Sequence, residues 1–381
     1  MTAPPGLDFI PAEYPSVSED CLTLDVFRPA HIYPNTKLPV YVWIYGGGFD
    51  VGNSRDFDLV PAVERSIESG QPIVAVTINY RLNAFGYLMG KEAAAAGISN
   101  LGLRDQTFAL KWVQKHIARF GDSTVINFRR SGGQSAGSVS TSYLTLDNAL
   151  NSNKLFHGVW LQSGPAFHVP HLLDDQDIYD SLALSGAINS TDSFFSYRSV
   201  NLVWTPRIDG DAVMRDPWLS VQGGAYAKIP IAAGTCEDEG TSFPILSILD
   251  KAHPLRKLLS EHNWGSIGGA RASVSTRSNQ GSPYNTGTDF QLSPEFKRVA
   301  SFIGDMAMTS PLRFFTQHAS ARQNVWQWLL IFPLAPLVSV VRANKAVYGA
   351  LGATHGSDDP IWFTTTTSLG TQGMDRVCKS F

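Results

Sequence analysis

Apolar positions along the chain fall into two patterns. Unbroken runs rich in β-branched and aromatic residues occupy 22–27, 40–45, 73–79, 159–162, 229–233 and 325–332. Runs of that length are the size of strands buried on both faces. Between them apolar residues recur at helical spacing, most clearly over 104–119, where Phe108, 110–113 and Ile117 are set among charged positions. Strands alternating with helices predict an α/β fold, with a mostly parallel central sheet and helices on both faces.

The stretch 263–294 carries neither pattern. It is dominated by Gly, Ser, Thr and Asn and reads as a long loop or a disordered insert. Strand signals continue on both sides of it, so the 381 residues are expected to form one domain, 1–381, rather than the two or three that roughly 150 residues per domain would suggest. Composition agrees with a large core: 43% of residues are hydrophobic and 17% charged, below the usual roughly one quarter. With 30 Lys and Arg against 33 Asp and Glu, the net charge of −3 creates no field that would gather nucleic acid or an anionic membrane.

The start of the chain, Met1-Thr-Ala-Pro-Pro-Gly, lacks the basic and apolar segments of a signal peptide. As written the chain is expected in the cytoplasm, and outside the cell if a missing N-terminal exon carries a signal. The longest apolar run, 325–341, contains Gln327 and is broken by Pro333 and Pro336; a membrane helix needs about 20 residues, so no transmembrane segment is expected. Three cysteines, Cys21, Cys236 and Cys378, allow at most one bridge and have no zinc or redox spacing.

Gly133-Gln-Ser-Ala-Gly137 matches G-x-S-x-G, in which a serine sits on a strained strand-to-helix turn and flanking glycines admit neighbouring backbone. Residues 138–146 can continue it as a helix. Tyr45-Gly-Gly-Gly-Phe49 follows an apolar strand and could be a plain tight turn. It could also aim successive N–H groups at the oxyanion of a tetrahedral intermediate. A serine nucleophile needs a base, and the base needs an acid to hold its tautomer. His355 lies in a Gly-rich loop after the last strong strand, whereas His116 belongs to a helical pattern. His168 and His171 with Asp174, Asp175 and Asp177 superficially suggest a metal site, but the acids read better as solvated residues near a helix start. For the acid, Glu237, Asp238 and Glu239 all follow a strand, and spacing does not choose among them. The order serine, acid, histidine is that of an α/β-hydrolase.

Taken together these segments resemble the type-B carboxylesterase and lipase family, which includes cholinesterases and fungal lipases. The resemblance rests on Ser18-Glu-Asp-Cys-Leu-Thr-Leu-Asp-Val26, Trp43-Ile-Tyr-Gly-Gly-Gly-Phe49, Asn79-Tyr-Arg-Leu82, Asn100-Leu-Gly-Leu-Arg-Asp-Gln106, the Gly133 to Gly137 elbow, Asp238-Glu-Gly240 and His355-Gly-Ser-Asp358, all in family order. It implies an α/β-hydrolase fold with Ser135 as nucleophile, His355 as general base and acid, and Glu239 as the orienting carboxylate. The N–H groups of Gly47, Gly48 and Ala136 would form the oxyanion hole. No cofactor or metal is implied; the partners are a small-molecule ester and water. Gln134 stands where cholinesterases have a glutamate, so an uncharged ester of small or medium acyl chain is expected. The other reading is a catalytically silent interaction module on the same scaffold, or an inactive product of a truncated gene model.

Several departures from the family pattern lie outside the motifs. The family usually has a longer N-terminal region, with an arginine for the signature glutamate, here Glu19, and a cysteine for Cys21, and a helical C-terminal tail. The stretch 168–204 is abridged, and Arg129 and Arg130 stand where a central strand should be apolar. Such a chain is expected to be incomplete at both termini, as from a shortened or imperfectly spliced gene model. Glu19, if buried without a countercharge, would be costly.

Overall fold

The computed structural model describes residues 18–30, 37–120, 129–146, 155–185, 203–236, 239–241, 303–330 and 355–356. They fall into two compact units, Leu22–Thr235 with Asp305–Leu329, and Met1–Cys21 with Cys236–Gly304 and Leu330–Phe381. The segment 263–294 lies outside the described residues.

The apolar runs form strands. β1 (Leu24–Phe27), β2 (Val40–Ile44), β3 (Val74–Ile78), β4 (Arg129–Gln134), β5 (Val159–Gln162), β6 (Ile231–Cys236) and β7 (Val325–Leu330) make one sheet in the order β1-β3-β2-β4-β5-β6-β7. β1 runs antiparallel to β3, while β3, β2, β4, β5 and β6 are mutually parallel neighbours. All five residues of β2 and all five of β3 are buried. These strands are covered on both faces, which is why their sequences read as continuous apolar runs instead of alternating. β4 lies mid-sheet despite its polar sequence, and its register sets Arg129 opposite Val40 and Arg130 opposite Tyr41; the two arginine side chains fall outside the description. Glu19 is exposed, so the desolvation cost expected for a buried glutamate does not arise.

The α-helices among the described residues are α1 (Val60–Glu68), α2 (Asn83–Tyr87), α3 (Lys91–Ala96), α4 (Leu101–His116), α5 (Ala136–Thr145), α6 (Gln176–Ser185), α7 (Pro217–Gly223) and α8 (Ser310–Ser320). α4 begins three residues before the expected start and buries Leu103, Leu110 and Val113, with Ile117 just beyond its end. Phe108 departs from the expected apolar face: it is 70% exposed, because the buried stripe runs through Gln106 and Thr107 instead. The polar stripe is tolerated because its members are bonded. Gln106 Nε2 donates to Ser140 Oγ at 3.0 Å, and Asp105 takes two charge-assisted bonds from Arg81, at 2.7 and 2.6 Å.

Every residue of α5 is buried although half are Ser or Thr. The hydroxyls are bonded one by one: Thr141 Oγ1 to the Gly137 carbonyl at 2.9 Å, Thr145 Oγ1 to that of Ser142 at 2.6 Å, and Ser138 Oγ to that of Gly164 at 2.6 Å. Ser142 Oγ accepts from the Ala166 N–H at 2.8 Å. A helix of small, internally satisfied hydroxyls can therefore pack closely against a sheet without leaving buried polar atoms unpaired. Among the described residues no helix is long and apolar enough to cross a membrane.

Candidate active site

Ser135 is the single residue between β4 and α5. Its backbone, at φ 54° and ψ −127°, lies where residues with a β-carbon are strained. Two hydrogen bonds hold it there: its N–H donates to the Gln162 carbonyl at the end of β5 at 2.9 Å, and its carbonyl accepts from the Val139 N–H at 2.9 Å. The glycine two residues on has a steric reason. A β-carbon at Gly137 would overlap the Ile44 carbonyl and come within 2.6 Å of the Tyr45 carbonyl oxygen. The end of β2 therefore passes directly against the elbow.

The glycine loop leaves β2 at the same place. Gly47, Gly48 and Phe49 all have positive φ, at 105°, 65° and 67°, so the backbone coils left-handed, which glycine accepts without strain. The Gly47 carbonyl accepts from the N–H groups of Asp50 and Val51, both at 3.1 Å, closing the loop on itself. A β-carbon at Gly46 would lie 2.8 Å from Ser135 Cβ, so loop and elbow are in contact. Ala136 opens α5, and its N–H is among the first four, which have no acceptor inside the helix. The three N–H groups singled out in the sequence thus belong to two backbone segments that touch.

Glu239 and His355 belong to the second unit. The Glu239 side chain is buried; Oε1 accepts the Cys236 N–H at 2.6 Å and Oε2 lies 2.6 Å from His355 Nδ1. Only 12% of the His355 side chain is exposed. A carboxylate facing Nδ1 calls for a proton on that nitrogen, and in the neutral ring this leaves the lone pair on Nε2. Glu239, one of the three acids that spacing left open, lies beside the histidine; Glu237 and Asp238 lie outside the described residues.

Among the described residues, His116 and His168 are engaged elsewhere. The His116 ring lies 5.0 Å from that of Trp112 on the same helix. His168 pairs with Asp216, whose other oxygen caps α7 by accepting from the N–H groups of Trp218 and Leu219 at 2.7 and 3.1 Å. Asp174 accepts from the His171 N–H at 2.8 Å. Asp175, expected to be solvated, instead pairs with the buried Arg207 at 2.9 Å. Among the described residues no group of three or more His, Cys, Asp or Glu could hold a metal ion.

Two contributors had no signal of their own in the sequence. Gln162 acts through its carbonyl on Ser135, and Cys236 through its N–H on Glu239; backbone groups are the same in every residue type, so only the spatial arrangement reveals them.

A mostly parallel sheet with a strained serine between a central strand and a buried helix defines a protein of the α/β-hydrolase fold. The solved structure of Aspergillus niger EstA superposes with a TM-score of 0.68 at 23% identity, covering 94% of this chain and 70% of that one. The model of the carboxylesterase family matches residues 3–183. Lipase 5 of Diutina rugosa is 36% identical over 79% of this chain and 60% of its own length, and Lipase 2 of Geotrichum candidum 34% identical over 87% and 66%. The chain belongs to the carboxylesterase family. It spans about 60 to 66% of the length of these two relatives.

Proposed function

We propose that the chain is a carboxylic ester hydrolase working through Ser135, His355 and Glu239 and an acyl-enzyme intermediate. The observation that carries this reading is the Glu239 Oε2 to His355 Nδ1 contact of 2.6 Å, because it makes Nε2 the basic nitrogen of the neutral ring. The reading requires Nε2 to reach Ser135 Oγ. Ser135 Oγ then attacks the ester carbonyl carbon while His355 takes its proton, and the carbonyl oxygen becomes an oxyanion facing the N–H groups of Gly47, Gly48 and Ala136. Collapse breaks the bond to the alcohol, which leaves with the proton from His355. Water, deprotonated by His355, attacks the acyl-enzyme; the carboxylic acid departs and Ser135 regains its proton. One ester and one water yield one alcohol and one acid.

The substrate reading is an uncharged ester of small or medium acyl chain. Gln134, beside the nucleophile and buried, offers no negative charge to a cationic alcohol. Two further fungal relatives are named secreted lipases, which supports export of the natural protein over a cytoplasmic setting. We also read 1–381 as a single catalytic domain, because strand signals continue on both sides of 263–294.

Labelling by a fluorophosphonate tests the assignment. Wild-type protein should be labelled stoichiometrically and Ser135→Ala not at all. Folded wild-type protein that takes no label would favour the silent scaffold instead, a reading supported by one relative named an inactive carboxylesterase-like protein.

A further inference from the structure

The oxyanion loop is held from behind by the segment that follows β3. Because β2 and β3 are parallel neighbours, the residues after each emerge at the same edge of the sheet. The Tyr80 hydroxyl donates to the Tyr45 carbonyl at 2.8 Å, and the Tyr45 hydroxyl returns a longer bond to the Tyr80 carbonyl at 3.4 Å. Both residues are buried, and their rings stack with centroids 4.6 Å apart. At the other end of the loop the Asn83 N–H donates to the Phe49 carbonyl at 2.7 Å, and the Phe49 ring meets Tyr87 edge-on at 5.0 Å.

We propose that Tyr80 is a positioning residue for the oxyanion hole: its hydroxyl, by holding the Tyr45 carbonyl, sets the direction in which the glycine loop presents its N–H groups to Ser135. The inference rests on the reading of Ser135 as nucleophile and of Gly47 and Gly48 as oxyanion donors. The physical link is the planar peptide, since turning the Tyr45 carbonyl turns the Gly46 N–H with it and redirects the chain entering Gly47. The Tyr45 carbonyl is the same group that lies against Gly137, within 2.6 Å of where a β-carbon there would stand. It is therefore confined between the elbow on one side and the Tyr80 hydroxyl on the other. Phe49 is pinned independently by Asn83, so the donors at Gly47 and Gly48 sit on a short span between two anchored carbonyls. Burial raises the Tyr80 phenol well above its ordinary value, so it keeps its proton at every pH where an esterase would be assayed.

The experiment compares wild type, Tyr80→Phe and Tyr226→Phe in the full chain. Tyr226 serves as control because its hydroxyl makes an equivalent bond to the His318 carbonyl at 3.0 Å, away from the loop. Turnover of p-nitrophenyl butyrate is measured per active site titrated with a fluorophosphonate, so unfolded molecules do not enter. A trifluoromethyl ketone, which forms a tetrahedral adduct with serine, reports the oxyanion site directly. Tyr80→Phe should lower kcat on the order of tenfold, less than the roughly hundredfold or more for losing a donor outright, with KM within about twofold and ketone affinity falling in step with kcat. Tyr226→Phe should change none of these beyond about twofold. Unchanged kcat and ketone affinity in Tyr80→Phe, or equal losses in the two variants, overturns the positioning role and leaves the esterase reading intact. Wild type that neither turns over esters nor takes the label overturns both.

Discussion

Glu239 shows how little a local sequence distinguishes one acid from its neighbours. Three carboxylates stand in a row after β6, and nothing in their order selects one. In the structure Glu239 is only 2% exposed and both its oxygens are taken, one by a backbone N–H and one by His355. That arrangement predicts the behaviour of Glu239→Gln. The Cys236 N–H would still find an oxygen, so the fold should hold, but the amide presents the wrong partner to Nδ1. Turnover should drop on the order of a hundredfold to ten-thousandfold with an unchanged urea unfolding midpoint. A rate equal to wild type would hand the role to Glu237 or Asp238. Ser135 is the opposite case, legible from its motif because the strain of the turn demands glycine at fixed distances on either side.

For elements, the distinction lies between periodicity and facing. The apolar runs marked β2, β3, β5 and β6 to within a few residues, because burial on both faces leaves an uninterrupted signature; β4 carried no apolar run, and β1 and β7, though marked by theirs, are only partly buried. α4 is equally visible as a helix, yet Phe108 lies outside its buried face. Hydrophobicity alone would put a phenylalanine inside; the paired polar groups Asp105 and Gln106 took that side instead, and the helix rotated accordingly. The contrast is measurable in urea unfolding. Leu110→Ala, at a position 2% exposed, should cost about 3 kcal/mol, whereas Phe108→Ser should stay within about 0.5 kcal/mol of wild type. Comparable losses at both positions would refute the facing of α4. α5 was harder to read, since its Ser and Thr residues suggest a solvated helix until each hydroxyl is traced to a partner in the surrounding backbone.

At the scale of the whole molecule, charge and architecture bear on function in different ways. A net charge of −3 over 381 residues provides no steering field. Hydrolysis of an uncharged ester should accordingly show kcat/KM changing by less than about twofold between 50 and 500 mM sodium chloride. A steep dependence on salt in that assay would point to a charged substrate. Strand alternation with helices, the elbow, the glycine loop and the family itself were all present in the sequence, since each depends on residue types recurring at short, fixed spacings. Contacts between distant segments are of another kind. The Gln162 carbonyl on Ser135, the Cys236 N–H on Glu239, and the Tyr80 hydroxyl on Tyr45 join residues that are separated in the chain or act through atoms common to all residues. The pairing of β2 with β3 brings Tyr80 to Tyr45 and that of β4 with β5 brings Gln162 to Ser135, while Cys236 and Glu239 are only three residues apart; in each case the hydrogen bond depends on atomic positions that the tertiary fold alone supplies.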